Sequence, residues 1–395
     1  MISTIVVLLA CAFVGPAMTE KIISTDLVHT DSPFITLLKQ GIHPSMIESM
    51  MSAQVGDNVP IPVPLMRFLD NDFFGETLFG HPGQSLFTAF DTIWVDSWVP
   101  TTTCSAISPA CALRRKYDPT RSPFSISLNK AWETPIGKET LKGSLYNDLL
   151  HVNQVNITNH TFAAVSEIPW VYVFNKFDGI LGLNVLVNGN MPSILTSLRQ
   201  QNHIDKTVMS FYFNRNPDSK KGGTLVFGGV EKRHYRGNFT FVNLVPGALD
   251  WMIRVNQITV TTPSQKKMIL CKGGCNAIMM SNGNPIGGPA LEIDDLNKAI
   301  GAQKWFGSKY TVNCAKIQNL PKVSFTIGDR AFVLSGKDYI QRVALGSLGT
   351  ICFSSFQPNF ESNSTTWYIG GAFMSRYYTT LDADAKRIGF ADANL

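Results

Sequence analysis

Asp72-Phe-Phe-Gly-Glu-Thr-Leu-Phe-Gly-His-Pro-Gly-Gln-Ser-Leu-Phe-Thr-Ala-Phe-Asp-Thr-Ile-Trp-Val-Asp-Ser-Trp-Val-Pro100 holds a short apolar run, Ser85-Leu-Phe-Thr-Ala-Phe90, that ends in a polar turn. Short apolar runs bounded by Gly, Pro, Asn and Ser are strand signals. The same texture continues from Asp70 to the C-terminus, as in Gly223-Thr-Leu-Val-Phe227 and Lys322-Val-Ser-Phe-Thr-Ile327. Helical candidates are few and short, the best being Pro192 to Gln201 and Leu291 to Ile300. The expectation is an all-β fold.

A weak internal repeat divides the β region. In the first half, Phe87-Thr-Ala-Phe-Asp-Thr92 is followed by Phe177-Asp-Gly-Ile-Leu-Gly-Leu183; in the second, Asn276-Ala-Ile-Met-Met-Ser281 is followed by Trp367-Tyr-Ile-Gly-Gly-Ala-Phe373. Each apolar strand running into a polar turn thus has an apolar-apolar-Gly strand roughly 90 residues on, the order that two related lobes require. The expected lobes are 71–245 and 246–395.

With 395 residues, 44% hydrophobic and 11% aromatic, the chain is too long for one small core and suits two domains. The net charge of +5 comes from 34 basic and 29 acidic residues without long runs. A nucleic-acid-binding stripe concentrates Lys and Arg, and no segment here does so.

Residues 1–17 form an apolar run closed by the small residues Gly15 and Ala17, which reads as a signal peptide. As a membrane anchor the run is short for a bilayer, and it ends at Gly15-Pro16. Of the seven cysteines, Cys11 leaves with the signal, and the even remainder suits disulfides in an oxidising compartment. Their count alone leaves 15 pairings open. No Cys-x-x-Cys spacing supports zinc. Sequons at Asn156, Asn159, Asn238 and Asn363 fit surface glycans on an exported chain. Residues 18–70 differ in composition from the β region and read as a pro-segment or N-terminal extension; their end, Asn58-Val-Pro-Ile-Pro-Val-Pro-Leu65, should run extended.

The stretch 72–100 resembles the start of a pepsin-like aspartic protease, which has a strand, a Gly-x-Pro turn, a strand ending in Asp-Thr-Gly, and then Trp-Val-Pro. Further similar motifs occur in order: Phe177 to Leu183, Cys271-Lys-Gly-Gly-Cys-Asn-Ala-Ile278, Leu320 to Ile327, and Trp367 through Arg376-Tyr-Tyr-Thr379. The resemblance covers about 70–395 and implies a bilobal fold with a cleft between two related β lobes. It also implies the disulfides Cys104–Cys111, Cys271–Cys275 and Cys314–Cys352.

Enzymes of that family hold a water between two carboxylates that share one proton, so that one serves as base and the other as acid. The resemblance makes Asp91 the first of these. The second should stand in Cys-x-Ala-Ile-Val-Asp-Thr-Gly-Thr-Ser, where this chain has Cys275-Asn-Ala-Ile-Met-Met-Ser-Asn-Gly-Asn284. Met280 occupies the catalytic position, and a thioether neither carries charge nor holds a proton. Asp96, Glu292, Asp294 and Asp295 are the other acids near the two loops, and each is expected to be a solvated surface residue.

Around these positions Thr92 follows the family, whereas Ile93 replaces a Gly and Trp94 a Ser or Thr. A β-branched side chain at 93 should crowd the cleft. Ser281 replaces a Thr and is expected to keep its hydroxyl bond between the lobes; Asn282 replaces a Gly, and Gly283 comes next. The flap region, Ala131 to Gly143, lacks the family's Tyr, with Trp132 as a loose stand-in. Residues 20 to 70 carry Lys21, Lys39 and Arg67 against six acids, so acid-triggered release loses its electrostatic basis.

These readings give a secreted, extracellular pepsin-like pseudoprotease, monomeric, with a peptide or protein ligand in the cleft. The alternative is an active or weakly active aspartic endopeptidase. Neither a cofactor nor a metal is expected, nor a nucleic-acid partner or a membrane anchor.

Overall fold

The computed structural model describes residues 20–47, 73–186, 191–214, 219, 221–281, 283, 285–346, 349–359 and 364–394. The expected signal peptide 1–17, Asn282, Asn363 and the Pro-rich stretch 58–65 lie outside the described residues.

Strands dominate, and the repeat seen in the sequence is a repeat of sheet topology. Strand Gln84–Asp91 pairs parallel with Gly179–Gly182, Asp91 standing opposite Gly182. Gly179–Gly182 also meets Trp98–Pro100 antiparallel, and that strand pairs parallel with Val155–Glu167. In the second lobe Cys275–Met279 pairs parallel with Trp367–Ile369, which meets Ile286–Gly288 antiparallel, and that strand pairs parallel with Phe356–Pro358. Two lobes thus repeat one crossover. Each puts the end of an apolar strand, and the polar loop after it, beside a second buried strand.

The glycines of Phe177-Asp-Gly-Ile-Leu-Gly-Leu183 are demanded by this closeness. A Cβ on Gly182 would lie 2.4 Å from the carbonyl oxygen of Val95. Only Gly lets the loop and the strand approach so closely.

A 13-stranded sheet joins the lobes. Tyr377–Asp382 pairs with Val208–Phe213, and Arg387–Ala393 with Tyr235–Asn243, so the C-terminus closes a sheet begun in the first lobe. Strand Ile23–His29 lies inside that sheet, between Lys221–Phe227 and Phe73–Phe79. The helices at Ile194–Gln200 and Ala290–Ala299 fall on the two helical candidates. Three disulfides form, Cys104–Cys111, Cys271–Cys275 and Cys314–Cys352. Among the described sequons, Asn156, Asn159 and Asn238 are exposed.

Residues 20–47 have more structure than their composition announced. Beyond strand Ile23–His29 they form helix Pro33–Lys39, started by Ser32, whose Oγ accepts from Ile35 N, and by proline in the first turn. Its residues Phe34, Ile35, Leu37 and Leu38 are buried with Ile47, Val343 and Phe353, and Phe174 of the first lobe packs against the same cluster.

Candidate functional site

The two loops that the repeat brings together are locked by hydroxyl groups. Thr92 N donates to Ser281 Oγ at 3.1 Å, and Ser281 N donates to Thr92 Oγ1 at 3.1 Å. Each hydroxyl donates onward, Thr92 Oγ1 to Met279 O at 2.9 Å and Ser281 Oγ to Phe90 O at 2.7 Å. Both side chains are buried, and all four bonds cross between the lobes. Ser281 therefore keeps the bond expected of it.

Asp91 ends its strand 1% exposed, and its Oδ1 accepts from Ile93 N at 2.8 Å. A β-branched residue at 93 is compatible with this turn: its amide serves the carboxylate while its side chain stays half-buried beside half-buried Trp94. Trp94 lies 6.5 Å from the ring of buried Trp98, which meets Tyr172 edge-on at 5.1 Å.

Met280 stands on the other loop, 8% exposed, its backbone N donating to Ile369 O at 2.9 Å. Gly283 is buried and its carbonyl accepts from Gly371 N at 2.7 Å. The loop backbone is thus held by its neighbours, with a thioether where the family pattern has a carboxylate. A thioether neither carries charge nor holds a proton.

The acids around the loops divide differently from expectation. Asp96 is not a solvated surface residue: it is 9% exposed, and its Oδ2 accepts from Trp132 Nε1 at 2.7 Å. A carboxylate is seldom so buried without partners, and a buried indole N–H needs an acceptor. Glu292 accepts from Cys271 N at 2.9 Å, and Asp294 takes Tyr310 OH at 3.1 Å and Lys298 Nζ at 2.5 Å. Asp295 remains exposed, on the helix that carries Glu292.

The flap is the hairpin of strands Ile126–Ile136 and Glu139–Val152, turning at Gly137 with φ 63°. Trp132 lies five residues before Gly137 and is buried. The residue at the tip is Ile136, opposite Glu139 and also buried, which sequence reasoning did not single out. Its mark was available: Ile136 immediately precedes Gly137, the glycine of the turn.

The extension reaches this region too. Phe34 and Ile35 share a small cavity with Pro285, Lys309, Ser355 and Gln357, just past the Met280 loop. Lys309 Nζ lies 5.0 Å over the Phe34 ring. Among the described residues no group of His, Cys, Asp and Glu is arranged to hold a metal.

Two lobes with one crossover each, joined through reciprocal hydroxyl bonds beside Asp91, define the architecture of a bilobal acid-protease fold. Residues 72–393 match the eukaryotic aspartyl protease family, and the chain belongs to it. It is similar to cathepsin D of Chionodraco hamatus, 36% identical over 344 residues that cover 85% of each chain. Cathepsin D of Bos taurus is 33% identical over 349 residues, covering 85% of this chain and 88% of its own. Cathepsin D of Homo sapiens is 31% identical over 351 residues, covering 85% and 84%.

Proposed function

We propose that this chain is a secreted pepsin-family pseudoprotease whose interlobe cleft takes peptide-like ligands, with Ile93 and Trp94 on its first-lobe wall. The observation that carries this reading is Met280 at the position of the second catalytic carboxylate. Without a second acid, the Asp91 carboxyl cannot share a proton across a dyad and so divide the roles of base and acid. The reciprocal Thr92–Ser281 bonds support retention of the cleft, since the loops keep their framework without the chemistry. Three disulfides support an exported, extracellular protein, and exposed Asn156, Asn159 and Asn238 are its proposed glycan sites. The protein acts as a monomer in this reading.

A second reading, weak endopeptidase activity through Asp91, draws on the intact turn in which Ile93 N serves its carboxylate. A quenched peptide library from acidic to neutral pH separates the two, with Asp91→Asn and Met280→Asp alongside and a transition-state mimic as probe. Binding of the mimic without cleavage by the wild type supports the pseudoprotease. Cleavage that disappears in Asp91→Asn and is blocked by the mimic establishes the endopeptidase instead.

A further inference from the structure

A buried side-chain hydrogen bond ties the flap to the Asp91 loop. Trp132, 5% exposed, donates its indole N–H to Asp96 Oδ2 at 2.7 Å, across 36 residues of chain. Asp96 belongs to the loop that begins at Asp91, so the bond ties the hairpin to the candidate site itself. Hydrogen bonds to a carboxylate are roughly twice as strong as neutral ones, and this one is shielded from water.

A second tie lies at the tip. The Glu139 carboxylate accepts from Trp170 N at 3.0 and 3.2 Å. The Trp170 ring meets Phe174 edge-on at 5.3 Å, and Phe174 packs against the cluster built around helix Pro33–Lys39.

We propose that these contacts form a two-point latch. The Trp132–Asp96 bond holds the flap's shaft against the Asp91 loop. The Glu139–Trp170 bond holds its tip, and the tip's anchor is steadied through Phe174 by the docked extension. The flap is then a fixed wall of the cleft, and displacing the extension loosens its tip while the shaft stays tied.

The test is amide hydrogen exchange on the full chain, read by mass spectrometry. Trp132→Phe keeps the aromatic packing and removes the donor; Asp96→Asn keeps the shape and removes the charge. Losing a hydrogen bond to a charged group should speed exchange over residues 133–142 about tenfold or more in Trp132→Phe, and less in Asp96→Asn. Strand Val208–Phe213 serves as the internal reference and should stay within about twofold. Phe174→Ala should speed exchange at 136–140 and leave the shaft protected. Unchanged exchange over 133–142 in Trp132→Phe overturns the latch, as does a rise shared equally by Val208–Phe213, which would mean that Trp132 only packs the lobe. Unchanged exchange at 136–140 in Phe174→Ala overturns the coupling to the extension.

Discussion

Thr92 and Ser281, 189 residues apart, exchange hydrogen bonds, each backbone N–H donating to the other's hydroxyl at 3.1 Å. Because each hydroxyl also donates to a carbonyl of the opposite loop, the pair satisfies four backbone groups that the junction buries. A carboxylate is not part of this arrangement, so the framework survives the change at position 280.

Ser281→Ala should leave Thr92 N and the Phe90 carbonyl without these partners. An unsatisfied buried group costs about 1–3 kcal/mol, so a loss of roughly 2–4 kcal/mol is expected. Urea unfolding measures it. Ser281→Thr, which keeps the hydroxyl, should lie within about 1.5 kcal/mol of the wild type. Equal losses in both variants would mean that volume, not hydrogen bonding, matters at 281.

Met280→Asp would place a second carboxyl on the loop that Ser281 ties to the Asp91 loop. Two neighbouring carboxylates raise the pKa of one of them, so the folded state keeps a proton that the unfolded chain has lost. The penalty is then small near pH 4 and grows as pH rises through the raised value. Thermal unfolding should show Met280→Asp close to wild type at acid pH and several degrees lower at neutral pH, and Met280→Leu close to it at both. A pH-independent loss in Met280→Asp would show that the two positions do not interact.

The extension should stay docked in acid. Phe34, Ile35, Leu37 and Leu38 are buried, each worth about 2 kcal/mol, and none of them titrates. His29 acts the other way: burial lowers its pKa, with nearby Asp31 opposing and Lys39 reinforcing the shift. The undocked segment therefore binds a proton first, and docking weakens as pH falls through about 6.5. With a specific protease site placed between 48 and 72, the cleaved 20–47 segment should co-elute with the body at pH 7 and pH 4. Its affinity should be lower at pH 4, a difference that His29→Gln reduces. Leu37→Ala/Leu38→Ala should release it. Release of the wild-type segment at pH 4 would show that titrating groups outweigh the burial of these four side chains.

His160 sits fully buried, Nδ1 3.1 Å from Ser197 Oγ, with Nε2 unpartnered among the described residues. Burial lowers its pKa to about 4. The unfolded chain takes the proton near pH 6.5 and the folded one near 4, so stability falls as pH drops between these values and levels off below. His160→Gln, neutral throughout, should lose less stability between pH 7 and pH 4 by on the order of 3 kcal/mol, read from denaturant unfolding at each pH. An identical drop in both proteins would mean that another group sets the slope.

Much of the fold was legible because strand and turn signals are local. The apolar runs into Asp91 and Ser281, the strand Gly179–Gly182, and the strand Trp367–Ile369 that Gly370 follows fall where the repeat put them. The disulfide pairing needed the family resemblance, since the count left 15 choices. Strand Ile23–His29 and helix Pro33–Lys39 were missed, because seven-residue elements are too short to declare a period and owe their order to docking on the body.

The identity of the reactive groups needed no coordinates: whether residue 280 can hold a proton is a property of its side chain, and methionine cannot. Burial is different, because it depends on partners far away in the chain. Asp96 read as a surface acid, yet Trp132, on a strand of the flap, covers it and donates to it. Glu139 and Phe174 gained their relation to the extension in the same way, through contacts that only the folded chain makes. The sequence by itself determined which side chains the loops carry; the tertiary structure decided which polar groups leave water and what receives their hydrogen bonds, because that balance is struck between residues distant in the chain.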